Sequence, residues 1–139
     1  MKVRYVLSVP RMRRDGVRSK ALSYEIAPVY QELRAKAFGY LDDAIPPDLP
    51  SGVIMETGYA EGVATLAALS DGTVSLYFSN GSGTVGAGQH AGPAMAARQL
   101  GVIAARYAPN MPILLQATLP KLDETKLYVL TGGVVRGVA

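Results

Sequence analysis

Three short runs rich in β-branched and aromatic residues, Val53–Tyr59, Val63–Leu69 and Val74–Ser79, are cut apart by glycine-bearing segments. Each is strand-length rather than helix-length. The gaps between them, Gly58–Gly62 and Ser70–Thr73, leave no chain for a crossover, so consecutive runs can only pair antiparallel. The stretch is therefore predicted to be a meander. Asp71-Gly72 is the stronger turn signal, because a type I′ hairpin needs positive φ at both central residues. With Ser70 opposite Thr73, the pairs Leu69–Val74, Ala67–Leu76 and Thr65–Phe78 share the expected core face. Ala68–Ser75, Leu66–Tyr77 and Ala64–Ser79 then share the other face, which is small and half polar, suited to partial cover or to a partner.

Ahead of the meander, Ile26, Val29, Tyr30, Leu33, Ala37, Tyr40 and Leu41 recur at three- and four-residue spacing, which predicts an amphipathic helix over residues 27–41 with Pro28 in its first turn. Behind it, Pro93 predicts the start of a second helix reaching Tyr107. Ala96, Leu100, Ile103 and Tyr107 form one stripe of that helix, and Ala97, Gly101, Ala104 and Ala108 a small-residue stripe that admits another backbone at close range. This helix is expected to pack on the sheet. Ile113–Leu119 and Lys126–Thr131 read as two more strands, with Val134–Val138 as a final edge strand. The order α-β-β-β-α-β-β predicts an α+β fold: an antiparallel sheet of five to six strands with two helices covering one face. Profilin-like and roadblock-like domains share this two-layer architecture, as an analogy of element order only.

A chain of 139 residues suits one domain, placed at residues 21–139 behind a basic arm, residues 1–20. The arm holds Lys2, Arg4, Arg11, Arg13, Arg14, Arg18 and Lys20 against Asp15, a net +6 in a chain of net +3, so the remainder carries −3. It is read as a solvated extension, with weak nucleic-acid binding through phosphates as the lesser alternative. No apolar run is long enough for a membrane helix, and Tyr5–Val9 is too short for a secretory core, so a cytoplasmic protein is expected. With no cysteine, and His90 as the only histidine, disulfides, thiol nucleophiles and Cys/His zinc sites are excluded. No metal or cofactor is expected.

Gly81-Ser82-Gly83-Thr84-Val85-Gly86 fits the spacing G-x-G-x-x-G. A dinucleotide site would need the helix to open within the glycines and an acidic residue about 20 positions on. Here Gly86, Gly88, Gly92 and Pro93 delay the helix, and Gly101–Ala108 holds no acid. The preferred reading is a hairpin turn or bulge at Asn80-Gly81, followed by glycines that allow close packing. The alternative is a small-ligand or anion site built from main-chain amides of residues 81–92. In that alternative Gly81, Gly83, Gly86 and Gly88 form the cradle, with His90 and Glu56 as its polar groups. Glu56 lies within a strand-like run, so if buried it needs a partner. Together with Glu61 it could also form a carboxylate pair. No G-x-S-x-G elbow is present, and no catalytic residue is assigned.

The segments Met55-Glu56-Thr57-Gly58-Tyr59, Glu61-Gly62-Val63-Ala64-Thr65-Leu66, Asp71-Gly72-Thr73, Ser75-Leu76-Tyr77-Phe78-Ser79-Asn80-Gly81 and Gly86-Ala87-Gly88 resemble a bacterial family of small single-domain proteins with no assigned activity. The resemblance spans residues 52–130 and implies a bacterial, cytoplasmic, single-domain protein. The mixed second sheet face, the tight helix 93–107 and the lack of convergent catalytic residue types favour a non-enzymatic protein-interaction or structural module that forms a homodimer.

Overall fold

The computed structural model describes residues 3–5 and 24–138. Apart from the backbone of Val3–Tyr5, the basic arm lies outside the described residues. In chain order the elements are β1 (Val3–Tyr5), α1 (Pro28–Phe38), β2 (Gly52–Tyr59), β3 (Gly62–Leu69), β4 (Val74–Phe78), β5 (Gly83–Val85), α2 (Ala91–Tyr107), β6 (Ile113–Leu114), β7 (Thr125–Thr131) and β8 (Val134–Val138). Three-residue 3₁₀ turns flank α2 at Ala87–Gln89 and Ala108–Asn110. The strands form one antiparallel sheet in the order β1-β5-β4-β3-β2-β7-β8-β6. The expected α+β class and the meander are present.

The sheet is larger than five or six strands. Gly83–Val85, expected to be loop, pairs with β4 and with β1. Ile113–Leu119 pairs only over Ile113–Leu114, and because that short strand lies outside β8, Val134–Val138 is not the edge. Helix α1 opens with Pro28 at its start, where the missing N–H costs nothing, and closes at Gly39, whose N–H reaches the Ala35 carbonyl. The proline-rich segment that follows cannot extend it.

The register of the β3–β4 hairpin differs by one residue from expectation. Leu69 N–H donates to the Thr73 carbonyl, Gly72 N–H donates to the Leu69 carbonyl, and only Gly72 has positive φ, at 91°. This is a three-residue loop, a type I turn closed by a left-handed glycine, rather than a two-residue type I′ turn. The next hairpin repeats it. Phe78 N–H donates to Ser82, Gly81 N–H to Phe78, and Gly81 sits at φ 93°. The side chains of Asp71 and Asn80 accept from the amides two residues on, at 2.8 and 2.9 Å, and fix both turns.

The extra loop residue turns β4 over. The observed pairs are Ala68–Val74, Ala67–Ser75, Leu66–Leu76, Thr65–Tyr77 and Ala64–Phe78. Ser75 and Tyr77 therefore point to the same side as Ala67 and Thr65, while Leu76 and Phe78 point away. The α1 side holds the main core, in which Tyr30, Ile54, Val63, Ala67, Tyr77, Tyr128 and Leu130 pack together. Val53 and Val129, neighbours of Ile54 and Leu130 in the chain, pack on the opposite side against Ala104 of α2 and Ala108 of the 3₁₀ turn that follows it. The helices cover opposite faces, and the molecule has three layers rather than the expected two. No helix among the described residues is long and apolar enough to cross a membrane.

Close approach explains one glycine of the loop. A Cβ on Gly88 would lie 1.9 Å from the Gly72 carbonyl oxygen, so the 3₁₀ turn is pressed against the β3–β4 hairpin. A Cβ on Gly92, in the first turn of α2, meets nothing within 4 Å. Gly88→Ala is therefore expected to lower stability by more than about 2 kcal/mol through backbone displacement, whereas Gly92→Ala should raise it by about 0.5–1 kcal/mol, by restricting the unfolded chain and favouring helix. Urea denaturation of the two variants beside the parent checks both signs.

Candidate functional site

Glu56 is fully buried on the α1 face of β2. Its Oε1 accepts from Arg34 Nη2 and its Oε2 from Arg34 Nε, both at 2.7 Å, a bidentate pair. Thr65 Oγ1, directly across the sheet on β3, donates to Oε2 at 2.7 Å. Since the Thr65 proton is committed to the carboxylate, Tyr30 must donate its own to Thr65, at 2.7 Å. The guanidinium also donates to the Ala117 carbonyl at 2.9 Å and lies 4.7 Å from the Phe38 ring centroid. Phe38 in turn stands edge-on to Tyr128, with centroids 4.9 Å apart, and the Tyr128 hydroxyl donates to the Thr118 carbonyl. The cluster joins α1, β2, β3, β7 and the 117–118 segment through one charge.

With both carboxylate oxygens occupied and no exposure, Glu56 is placed to hold the α1 layer on the sheet. Glu61 lies on the β2–β3 turn, exposed, so the two glutamates form no pair. Arg34 is absent from the sequence-based candidates, although it sits four residues after Tyr30 and four before Phe38. An arginine at the edge of an apolar stripe, opposite an isolated glutamate in a strand, is the signal that would have found it.

The glycine loop is divided among several structures. Gly81 closes a hairpin turn, and Gly83 lies in β5, where a Cβ would come within 2.4 Å of the Leu76 carbonyl. Gly86 takes φ 84° ahead of the 3₁₀ turn, and Gly88 packs on Gly72. The amides of Gly81, Ser82, Gln89 and His90 already donate within the chain. His90 is exposed at the N-cap of α2 and makes no side-chain capping bond. Glu56 faces α1, whereas the helix that follows His90 packs on the other side of the sheet, so the structure does not bring these two together. Among the described residues, no group of three or more His, Cys, Asp or Glu side chains could hold a metal ion.

The second sheet face is unusual. Helix α2 crosses it at one end, from Gly72, which Ala94 approaches, over Ala68 to Val53 and Val129. It touches the sheet through Ala94, Ala97 and Ala104 and, just past its end, Ala108, while Leu100, Ile103 and Tyr107 face away. The small stripe is thus the one that admits the sheet at close range, and the large stripe is left outside. Beside α2, the cross-strand row Val138–Leu127–Met55–Leu66–Leu76–Thr84 runs over six strands with no helix of the described residues on it. At the usual strand spacing the row is about 24 Å long. These six positions hold no charged residue, but the register continues from Thr84 onto Arg4 of β1, and Phe78 and Tyr59 lie beyond the row.

Which flank of α2 borders this row follows from its other neighbours. Val102 and Arg98 line a cleft of about 210 Å3 with Ile45, Leu49 and Pro50, at the end of the sheet where β2 begins. Leu100 and Tyr107 occupy the opposite flank of the helix, toward the open row. The result is an apolar floor with an apolar wall.

Two measurements test the buried cluster. Glu56→Gln leaves the guanidinium without its counter-charge and is expected to cost about 3–5 kcal/mol, against less than about 0.5 kcal/mol for Glu61→Gln on the turn. Burial, and then the charge of Glu56, push the Tyr128 phenol up to about 12 from 10.0; burial also pushes Tyr30 well up. Each phenol ionises later in the fold than in the unfolded chain, so its stabilising contribution is complete below pH 10 and is lost as pH rises through the folded value. The urea midpoint is expected to fall between pH 10 and 12, and to fall less steeply in Tyr128→Phe.

No family model, curated protein or solved structure matches the chain, so the geometry of these two faces carries the functional reading.

Proposed function

We propose that this protein is a protein-interaction module that works as a homodimer, with the open side of the sheet and the adjoining flank of α2 as its contact surface. The observation that carries the reading is the apolar floor and wall on the α2 side. Met55, Tyr59, Phe78, Leu127 and Val138 on the sheet, with Leu100, Ile103 and Tyr107 on the helix, are each 38–64% exposed. At roughly 200 Å2 per large side chain, these eight leave on the order of 700 Å2 of apolar surface in water. Exposed apolar surface of this order lies at or above the upper end of what monomers ordinarily leave in one patch, about 300–600 Å2.

A second copy is the occupant the surface favours. It presents the same apolar floor and the same helix flank, so a two-fold contact pairs apolar surface with apolar surface. The alternative of an anion held by the glycine loop has less support, since four of the loop's amides are already committed.

Sedimentation velocity at tens of micromolar is expected to give twice the chain mass. Leu127→Glu places a charge on the half-exposed floor without touching the α1 core, and should give the single-chain mass with an unchanged far-UV spectrum. A wild-type protein that stays monomeric at that concentration overturns the proposal.

A further inference from the structure

We infer that α2 is the seam of the homodimer: the α2 helices of two copies pair side by side through Leu100, Ile103 and Tyr107 across a two-fold axis. This rests on reading the open face as a self-association surface, and it specifies which element meets which. Ala96, Leu100, Ile103 and Tyr107 follow one another at spacings of four, three and four residues. That is the apolar repeat of a helix that packs against a like helix. A helix serving only its own sheet has no use for this second stripe, because Ala94, Ala97, Ala104 and Ala108 already meet the sheet.

The dimensions agree. Helix α2 has 17 residues and is therefore about 26 Å long, close to the roughly 24 Å of the uncovered row beside it. The uncovered strip lies on the same side of α2 as Leu100 and Tyr107, so a partner helix in van der Waals contact with the stripe also shields part of the floor around Met55. Ala96 lets the two backbones approach at one end of the seam. Arg98 sits on the opposite flank, where it donates to the Asp71 carbonyl, so the pairing does not bring its charge against its counterpart.

The chain contains no cysteine, which makes the test direct. Leu100→Cys and Ile103→Cys lie at the centre of the stripe, so for either helix direction the two positions, alone or mixed, fall near the two-fold axis. Under mild oxidation in the dimeric concentration range, they are expected to shift nearly all of the chain to a covalent dimer on a non-reducing gel. Val102→Cys, equally exposed but on the far flank, should remain a single chain. Ile103→Asp should lose the dimer in sedimentation while retaining the parent's circular dichroism. A wild-type dimer that is captured by neither seam cysteine, or by Val102→Cys as readily, overturns the seam and leaves the homodimer reading standing. A wild-type monomer overturns both.

Discussion

Gly72 and Gly81 each place one left-handed residue at the end of a three-residue hairpin loop, and the phase of the whole outer sheet depends on it. A loop one residue shorter would rotate β4 by one position against β3, moving every side chain to the opposite face. Ser75 and Tyr77 would leave the α1 side, and Leu76 and Phe78 would enter it. The local sequence Ser-Asx-Gly, present twice at Ser70-Asp71-Gly72 and Ser79-Asn80-Gly81, thus decides both what the core contains and which apolar side chains are left outside. Asx side chains that accept from the amide two residues on make the choice cheap, because the type I turn is closed by short local bonds before the strands pair.

Two layers are then attached by different physics. On one side a charge is taken wholly out of water, and both of its oxygens are met by Arg34 or Thr65, so α1 is keyed to one position on the sheet. Removing a partner from such a pair costs far more than the pair contributes relative to an apolar replacement, which gives the cluster its value as a positioning device rather than as a source of net stability. On the other side α2 rests on alanines, with no comparable polar key. The layers therefore differ in how firmly they are specified, and the loosely specified one carries the exposed apolar residues.

Much of this was legible in the residues. Turn chemistry and run length gave the bounds of β2, β3, β4 and β7 to within a residue or so, and helical spacing located both helices. The face assignment was not legible, because Asp-Gly serves two-residue and three-residue loops alike, and only the partner strand reveals which is used. Which stripe of α2 meets the sheet was left open for a related reason. Periodicity shows that α2 has a large stripe and a small stripe, but which one meets the sheet depends on whether a second surface is available for the other. Glu56 was visible as a glutamate out of place in a strand, whereas its partner lay on a helix among ordinary exposed charges. Short pairing such as β5 leaves little pattern, since Gly83 is there for the closeness of Leu76 and not for strand propensity.

The alanine contact of α2 has a bearing on cooperativity. Burying a methyl group is worth about 0.8 kcal/mol, against about 1.5–3 kcal/mol for a leucine, so the helix gains little from its own sheet relative to the chain entropy it gives up. In the homodimer proposed above, part of what holds α2 closed would come from the partner. Folding and association would then be linked by mass action, and the melting temperature would rise with protein concentration.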